Sequence, residues 1–525
     1  MHKYIKRVLF SIIGACLLMT CNFKKVRKLH FPKTNLAESP LIPMPLKIDA
    51  AFGGFPLDEF TGIQTSGNDD FERLGTFLVE KIKLKTRLAL KVNQQENDQI
   101  KSFIGINLVD ELFSENLEAY ELVIGKDSIT INANTADGAF RAIQTLRQLV
   151  PEMSNDTLAV NRIWVIPTGT IFDAPQYEYR ATMLDVARHF FNVEELKKYI
   201  DVLSYYKINF LHLHLSDDQG WRIEIKSWPK LTTIGGSTEV GGEAGGFYTQ
   251  EDYAEIVAFA AQHYMTIIPE IDMPGHTNAA SVAYPLLNGN GKTPKLYTGM
   301  RVGFSTFDTR KDSVYTFLDD VIREISMLTP GPYFHIGGDE SHVTKKKDYL
   351  YFVDRVEKIV QQYGKQMIGW DEVANAEIDS TSIVQYWSSR ANANRAIKKG
   401  MKIIISPAHR TYLDMKYDSL SSYGLDWAGN IRTDSAYMWS PEEYGPKESI
   451  LGIEAPLWSE TISELAELHY LAFPRVIGYA ELGWSIQENR VWENYKLRLA
   501  QQVPFLKRME VNYYPSPLIT WQTAK

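Results

Sequence analysis

Cysteine is nearly absent from this chain, since the only two, Cys16 and Cys21, lie close to its start. The rest of the sequence therefore offers no disulfide and no thiol nucleophile. No Gly-rich fingerprint for a dinucleotide or a phosphate group is present either. The net charge of -8 over 525 residues is modest and indicates no nucleic-acid partner.

Long hydrophobic runs are also missing, because the apolar stretch near the start extends only from Val8 to Thr20 and is too short to span a bilayer comfortably. Basic residues precede it, as in an export signal. The segments ending in Cys16 and Cys21 each resemble a bacterial lipoprotein cleavage box, in which the cysteine becomes lipidated. An ordinary or uncleaved signal with incidental cysteines is the alternative. The sequence does not show which cysteine is used.

We therefore expect a lipoprotein-type signal peptide at residues 1–21 and a tether at 22–39. The protein would be exported, as a periplasmic or outer-membrane-anchored lipoprotein of a bacterium, with the lipid as its only membrane contact. We expect two domains beyond the tether, an α+β domain at 40–170 and an α/β barrel at 171–510, with a C-terminal tail at 511–525.

The first domain shows a hairpin pattern. Tyr120 to Ile124 and Ser128 to Ile131 alternate in polarity and are separated by a turn-forming Gly-Lys-Asp. A helix is predicted to follow and to cover one face of the small sheet, because Phe140, Ile143, Leu146 and Leu149 recur at near-helical spacing.

From about Tyr177 onward, short apolar strands alternate with amphipathic helices, which predicts a parallel sheet. Capping-box pairs, Asn192 with Glu195 and Thr249 with Asp252, mark two helix starts. Together the strand segments predict a (β/α)8 TIM barrel. They are Ala181 to Leu184, Phe210 to Leu215, Thr266 to Ile271, Tyr333 to Ile336, Met367 to Trp370, Ile383 to Trp387, Lys402 to Ile405 and Leu451 to Leu457.

The segment HIGGDE, from His335 to Glu340, places two adjacent carboxylates at the end of the fourth barrel strand. Gly337 and Gly338 leave room for a close approach by substrate or backbone. In a parallel barrel the carboxyl ends of the strands form the catalytic face. Asp339 and Glu340 are therefore candidates for proton transfer.

Nearly every other strand also ends in polar or aromatic residues, which a barrel gathers into one mouth. After strands two and three these are His212, His214, Asp217, Asp218, Glu270, Asp272 and His276, and after strands five to eight Trp370, Trp387, Tyr412, Asp414, Trp458 and Glu460.

Two chemistries compete for this cluster. His212 and His214 share one face of a strand and, with nearby acids, could hold zinc or manganese. Alternatively, carboxylates could perform acid–base chemistry on a glycosidic bond in an aromatic-lined pocket. Three tryptophans at strand ends favour the second chemistry, because indole faces hold sugar rings and N-acetyl methyl groups. The two histidines would then lie in the core or behind the pocket.

The motifs resemble glycoside hydrolase family 20, the β-N-acetylhexosaminidases, over roughly residues 40–485. The likeness includes the small α+β domain, and its one departure is Ala181, where a glycine is expected after Arg180. The matching motifs, in the family's order, are YRATMLDVARHF, HLHLSDDQGWRIEI, IIPEIDMPGH, HIGGDE, GWDE, TYLD and APLWSE.

The resemblance implies substrate-assisted catalysis, in which the 2-acetamido oxygen of the sugar attacks the anomeric carbon and forms an oxazolinium intermediate. Glu340 would be the general acid and later the base, and Asp339 would orient the acetamido group. His276 with Asp217 would form a relay behind Glu340, and Asp272 would support Asp339. We also expect an ionised Asp339 to raise the pKa of Glu340.

For substrate binding, the resemblance implies that Arg180 grips the 3- and 4-hydroxyls of the sugar and that Asp414 and Glu460 accept from the 4- and 6-hydroxyls. Trp370, Trp387 and Trp458 would enclose the acetamido group, and Tyr412 would hydrogen-bond its oxygen. The implied activity is exo-acting and retaining, on terminal GlcNAc or GalNAc of glycans, with no cofactor and no metal. A metal-dependent hydrolase and a non-catalytic glycan-binding protein are the alternatives.

Overall fold

The computed structural model describes residues 34–93, 100–110, 112, 115–152, 163–289 and 294–521. The expected signal peptide, both cysteines and most of the expected tether lie outside these residues. Within the described part of the chain, no helix combines the length and apolar character needed to cross a bilayer.

The N-terminal domain is a six-stranded sheet in the order β1-β6-β4-β5-β3-β2. Helices α1 (Asp69–Thr86) and α2 (Ala136–Leu149) pack against it through apolar faces. The predicted hairpin and the helix that follows it are confirmed. The strands are β1 Lys47–Leu57, β2 Thr61–Ser66, β3 Ser102–Leu108, β4 Tyr120–Ile124, β5 Ser128–Ala133 and β6 Trp164–Asp173.

The second domain is a closed barrel of eight strands, β7 to β14, in which every neighbouring pair is parallel and β14 pairs with β7. The predicted barrel is confirmed. Both ends of each predicted strand lie within two residues of the ends of the observed strand. The strands are Tyr179–Asp185, Phe210–His214, Thr266–Glu270, Tyr333–His335, Gln366–Trp370, Ile383–Tyr386, Lys402–Ile405 and Ile450–Leu457.

Helices surround the barrel, and both predicted capping boxes are present, at Asn192 with Glu195 and at Thr249 with Asp252. Helices of at least eight residues here are α3 Val193–Tyr205, α4 Gln250–Gln262, α5 Asp312–Leu328, α6 Lys346–Gln362, α7 Arg390–Lys398, α8 Leu465–Ala472, α9 Arg475–Trp484 and α10 Trp492–Ala500. Shorter ones are Lys230–Thr233, Asn278–Ala283, Ala408–Thr411, Thr433–Tyr437 and Val503–Arg508.

The barrel interior differs between its two ends. Its amino-terminal end is closed by a buried apolar cluster, whereas the layer above contains His212, Glu270 and Glu454. The cluster, here called the barrel floor, consists of Tyr179, Ala181, Ile268, Ile368, Ile383, Ile404 and Leu451. Ala181, the departure from the family motif, therefore lies in the floor.

The structure shifts three of the expected domain limits. Strand β6 continues to Asp173, so the first domain extends past residue 170. Leu36 is fully buried in the core of the first domain and is therefore not part of a tether. Val511 and Ile519, expected in a tail, pack in the core of the barrel domain because their side chains are apolar.

Candidate active site

The loop after β10 adopts a conformation that only glycine permits. Gly337 and Gly338 have φ angles of +65° and +102°. A Cβ atom at Gly337 would lie 1.9 Å from Oδ1 of Asp272. Instead, that oxygen accepts a 3.0 Å hydrogen bond from the backbone N–H of Gly338. The two glycines thus let Asp272 hold the backbone that presents Asp339 and Glu340.

His276 lies between Asp217 and the adjacent carboxylates Asp339 and Glu340. Its Nδ1 is 3.1 Å from Oδ1 of Asp217, and its Nε2 is 3.6 Å from a Glu340 oxygen and 3.8 Å from an Asp339 oxygen. His276 and Glu340 have positive φ angles of 55° and 42°. Such strain in non-glycine residues is concentrated at functional sites. The structure thus brings together the residues expected to form the relay.

Asp339 and Glu340 differ in exposure and in pKa. Burial and the neighbouring Asp272 raise the pKa of Asp339 well above its ordinary value. Burial also acts to raise the pKa of Glu340, but the nearby His276, together with Arg188, outweighs it and lowers that pKa. The expected rise in the pKa of Glu340 is therefore wrong, because the nearby imidazole of His276 dominates.

Asp272 is fully enclosed. Burial raises the pKa of Asp272 to about 7, with Glu270 adding to the effect. One oxygen of Asp272 binds the Gly338 N–H, and the other has no protein hydrogen-bond partner. The structure therefore places Asp272 behind Asp339, as the resemblance implies, where it acts on both the backbone and the charge of the pair.

The expectation for Arg180 is wrong. Arg180 stands near the amino-terminal end of β7, at the barrel floor, and not at the mouth. Its guanidinium group binds Glu118 of the first domain at 2.5 and 3.0 Å and also donates to the Lys207 carbonyl. These contacts use Arg180 to join the two domains.

Arg188 is the arginine at the mouth, three residues past the end of β7. Its Nη2 is 2.8 Å from Oδ2 of Asp217, and its guanidinium carbon is 4.8 Å from the ring centroid of Trp458. Burial opposes its charge, but Asp217 and other mouth carboxylates raise the pKa of Arg188 well above its ordinary value. The sequence contained a signal for it, since Arg188 follows the strand and Arg180 starts it.

Asp414 and Glu460 are placed together at the mouth with free acceptors. Both Asp414 oxygens and Oε2 of Glu460 are buried without a hydrogen-bond partner. Burial, together with the charge of Glu460, raises the pKa of Asp414 well above its ordinary value. Buried acceptors without partners are costly unless a ligand supplies donors. Sugar hydroxyl groups are suitable donors.

The predicted aromatic residues form one continuous wall. Trp458 lies 5.8 Å from Trp370 and 6.2 Å from Tyr412 between ring centroids, and Tyr412 stacks at 6.4 Å on Trp387. The indole N–H of Trp370 donates to Glu270, and that of Trp387 donates to Glu372. These two hydrogen bonds fix the orientation of the Trp370 and Trp387 rings.

Trp427 extends this wall, although the sequence interpretation did not include it. Its ring is 57% exposed and stands edge-on to Tyr412 and Trp387 at 5.9 and 6.4 Å. It lies in a long connection after β13 that has no regular pattern, so no periodicity marked it. Its position at the rim suits contact with the part of a glycan beyond the cleaved sugar.

His212 and His214, the candidate metal ligands, each bridge two carboxylates. His212 lies 2.9 Å from Glu454 and 3.1 Å from Glu270. His214 lies 2.5 Å from Glu270 and 2.8 Å from Asp217. Both ring nitrogens of His214 are hydrogen-bonded, whereas His212 is hydrogen-bonded only through Nδ1, to Glu454. Both histidines lie behind the pocket, the position expected for the acid–base chemistry.

Two family models match the chain. Residues 177–487 match the catalytic domain of glycosyl hydrolase family 20, and residues 38–174 match domain 2 of that family. Together they span the barrel and the N-terminal domain.

Relatives and solved structures agree with this. A β-N-acetylhexosaminidase of Cellulomonas fimi is 40% identical over 410 residues, covering 77% of this chain and 82% of the relative. A β-hexosaminidase of Porphyromonas gingivalis is 32% identical, covering 97% of this chain and 69% of the relative.

The structure of the family 20 β-N-acetylhexosaminidase from Streptomyces coelicolor A3(2) has a TM-score of 0.87 and 42% identity, covering 93% of this chain and 100% of the other. A mutant Streptomyces plicatus β-hexosaminidase in complex with its product GlcNAc has a TM-score of 0.87 and 43% identity, covering 94% and 99%. The chain belongs to glycosyl hydrolase family 20.

Proposed function

We propose that Glu340, Asp339 and the groups around them carry out the reaction of this family. The protein is an exo-acting, retaining β-N-acetylhexosaminidase that hydrolyses terminal non-reducing N-acetylhexosamine by substrate-assisted catalysis. The observation that carries this assignment is the geometry of Glu340 and Asp339 around His276, at the carboxyl end of the barrel strands.

In the first step, the acetamido carbonyl oxygen of the sugar attacks the anomeric carbon while Glu340 protonates the departing glycosidic oxygen. The bond from the anomeric carbon to that oxygen breaks, and an oxazolinium ion forms. Asp339 accepts a hydrogen bond from the acetamido N–H and stabilises the positive charge of the oxazolinium ion. A nucleophile within the substrate needs no separate ordering, which lowers the entropic part of the barrier.

In the second step, Glu340 accepts a proton from water, whose oxygen attacks the anomeric carbon. The oxazolinium ring opens, the acetamido group is restored, and the product has the configuration of the substrate. His276, which Asp217 holds in place, acts on the protonation of Glu340 as this residue changes from the acid of the first step to the base of the second.

Substrate binding must redistribute the protons of the catalytic pair. Burial and Asp272 raise the pKa of Asp339, while His276 lowers that of Glu340. An acetamido N–H that donates to Asp339 favours its ionised form. A sugar that covers Glu340, whose side chain is 28% exposed, removes water and favours its protonated form. The two groups titrate as a pair.

Arg188 supplies hydrogen-bond donors, and Asp414 and Glu460 supply acceptors, to the hydroxyl groups of the sugar. Trp370, Trp387, Trp458 and Tyr412 enclose the acetamido group. Since buried groups surround the terminal sugar, no further sugar fits on its non-reducing side, which explains exo action.

A panel of 4-nitrophenyl glycosides tests the mechanism. We expect turnover of the N-acetyl sugars and little turnover of the 2-amino and 2-hydroxy sugars, because only the acetamido group supplies the nucleophile. Proton NMR of the first-formed product should show the β-anomer. Efficient cleavage of plain glucosides would overturn the substrate-assisted mechanism.

Substitutions separate the two carboxylates. Asp339→Asn and Glu340→Gln should each lower kcat by about 10²–10⁴. Glu340→Gln should be less harmful for leaving groups that need no proton, whereas Asp339→Asn should affect all substrates alike. Unchanged turnover in either variant would refute the assigned role.

We also propose that the protein is an exported lipoprotein. The basic residues before Val8, the short apolar run and the cysteine boxes support this. Radiolabelled palmitate incorporation by the parent protein, and its loss in either Cys16→Ser or Cys21→Ser, would identify the anchor. Absence of label in the parent would contradict the proposal.

A further inference from the structure

A column of buried acids and imidazoles runs from the catalytic pair into the barrel. It begins at His276, passes through Asp217 and His214, and reaches Glu270. The successive distances are 3.1 Å from His276 to Asp217, 2.8 Å from Asp217 to His214 and 2.5 Å from His214 to Glu270. Each of these residues is at most 2% exposed. The charge at the mouth is thus linked to groups that lie behind the pocket.

His214 has a carboxylate at each ring nitrogen. A neutral imidazole carries one N–H, so it donates to only one of two ionised carboxylates, whereas an imidazolium donates to both. Burial opposes the charged form, yet Glu270 and Asp217 raise the pKa of His214 well above its ordinary value. The two carboxylates therefore favour the charged form of the ring, while Nη1 of Arg188 also lies 3.3 Å from Nε2.

Asp217 is fixed through both of its oxygens. Oδ1 meets Nδ1 of His276 at 3.1 Å and the backbone N–H of Asp218 at 2.5 Å. Oδ2 meets Nε2 of His214 and Nη2 of Arg188, both at 2.8 Å. Loss of the His214 contact leaves Oδ2 with Arg188, whose guanidinium group also belongs to the substrate pocket.

We propose that His214 is a positioning residue, which fixes the orientation and charge of Asp217 and thereby the proton on His276 that faces Glu340. This inference goes beyond the proposed roles of Glu340 and Asp339, and rests on them. His214 does not act on the sugar. Its contribution belongs to proton transfer, and therefore to kcat rather than to KM.

His212 provides a matched control. It lies two residues earlier on the same strand and also lies close to two carboxylates, with Nδ1 hydrogen-bonded at 2.9 Å to Glu454 and Nε2 at 3.1 Å from Glu270 without a hydrogen bond. It makes no contact with Asp217 among the described hydrogen bonds and ion pairs. A merely structural effect of removing a buried imidazole should appear equally at both positions.

The experiment compares asparagine and glutamine at each position. Asparagine places its amide nitrogen near the site of Nδ1, and glutamine near that of Nε2. His214→Asn therefore keeps the donor to Glu270 and loses the one to Asp217, whereas His214→Gln keeps the donor to Asp217. kcat, KM, the pH profile of kcat/KM and Tm are measured for all four variants.

We expect His214→Asn to lower kcat about tenfold or more with KM changed less than about threefold, and His214→Gln to recover most of that loss. The loss should be larger for a chitobiose substrate than for a 4-nitrophenyl glycoside, since the poorer leaving group needs the proton more. Both His214 variants should shift the pH profile to higher pH, because loss of a cation eases protonation nearby. The His212 variants should lower Tm without this shift.

Equal kcat losses for asparagine and glutamine at 214, or the same profile shift at 212, would overturn the proposal. If His214→Asn does not fold, the pH profile of His214→Gln against that of His212→Gln decides the question. Failure of the proposed function would give a different result, because Glu340→Gln would then retain the full activity of the parent enzyme.

Discussion

Arg180 and Arg188 belong to one motif and to the two ends of one strand, yet they have opposite tasks. Arg180 binds Glu118 at the barrel floor, and Arg188 binds Asp217 at the mouth. Both are almost fully buried, and both are paired with carboxylates. Position along the strand, rather than residue type or burial, determines which arginine lies at the barrel mouth and which joins the domains.

The largest expected effect tests the mouth. Arg188→Gln should lower kcat/KM for 4-nitrophenyl N-acetylglucosaminide by roughly a thousandfold, about 4 kcal/mol, because it removes a charged donor and leaves Asp217 less compensated. Steady-state kinetics on folded protein measures this. A loss in kcat/KM of less than tenfold would show that Arg188 does not bind the substrate.

The floor should respond in stability instead. Arg180→Gln leaves Glu118 with Arg141 as its one charged partner among the described residues, beside a hydrogen bond from Asn209, and we expect a loss of about 3 kcal/mol in unfolding free energy. kcat/KM of the folded fraction should stay within threefold of the parent. Chemical denaturation combined with kinetics would contradict the comparison if activity fell and stability did not.

The buried His212 predicts a pH dependence of the unfolding free energy. Burial opposes the charge of His212, but Glu454 and Glu270 raise its pKa to about 9. Because this folded-state pKa is above the unfolded value of about 6.5, the stabilisation is full below pH 6.5 and is lost as the pH rises through 9. The change should be about 3 kcal/mol, because each pKa unit corresponds to about 1.4 kcal/mol. Tm measured from pH 6 to 9.5 should fall less steeply for His212→Gln.

The smallest effect should come from the rim. Trp427→Ala should raise KM for chitobiose about fivefold, or about 1 kcal/mol, since an exposed aromatic face is lost. The same change should have little effect on a methyl glycoside, which has no second sugar. Equal effects on both substrates would place Trp427 inside the terminal-sugar pocket.

The sequence predicted the barrel well because nearly every strand is a short apolar run followed by polar or aromatic residues. Asp339 and Glu340 were found for this reason, and so were His276 and the three tryptophans. Capping boxes such as Asn192 with Glu195 depend on local hydrogen bonds, and local patterns identify them.

The remaining features depend on contacts between distant parts of the chain. The resemblance alone does not reveal that Arg180 lies near the amino-terminal end of β7, because a motif match carries no information about which end of a strand a residue occupies. The order of protonation in the catalytic pair depends on His276, which lies 63 to 64 residues earlier, as the difference in residue numbers shows. Trp427 lies in an irregular connection, where neither spacing nor burial can be read from the sequence.

The barrel floor has a consequence for how a polysaccharide is processed. Tyr179, Ile268 and Leu451, with their apolar neighbours, close the lower end, so a chain cannot thread through the protein. Each released monosaccharide must leave by the route through which it entered, and the shortened glycan must withdraw before the next round. Free N-acetylhexosamine should accordingly compete with substrate, and degradation should proceed by separate encounters rather than by continuous travel along one strand.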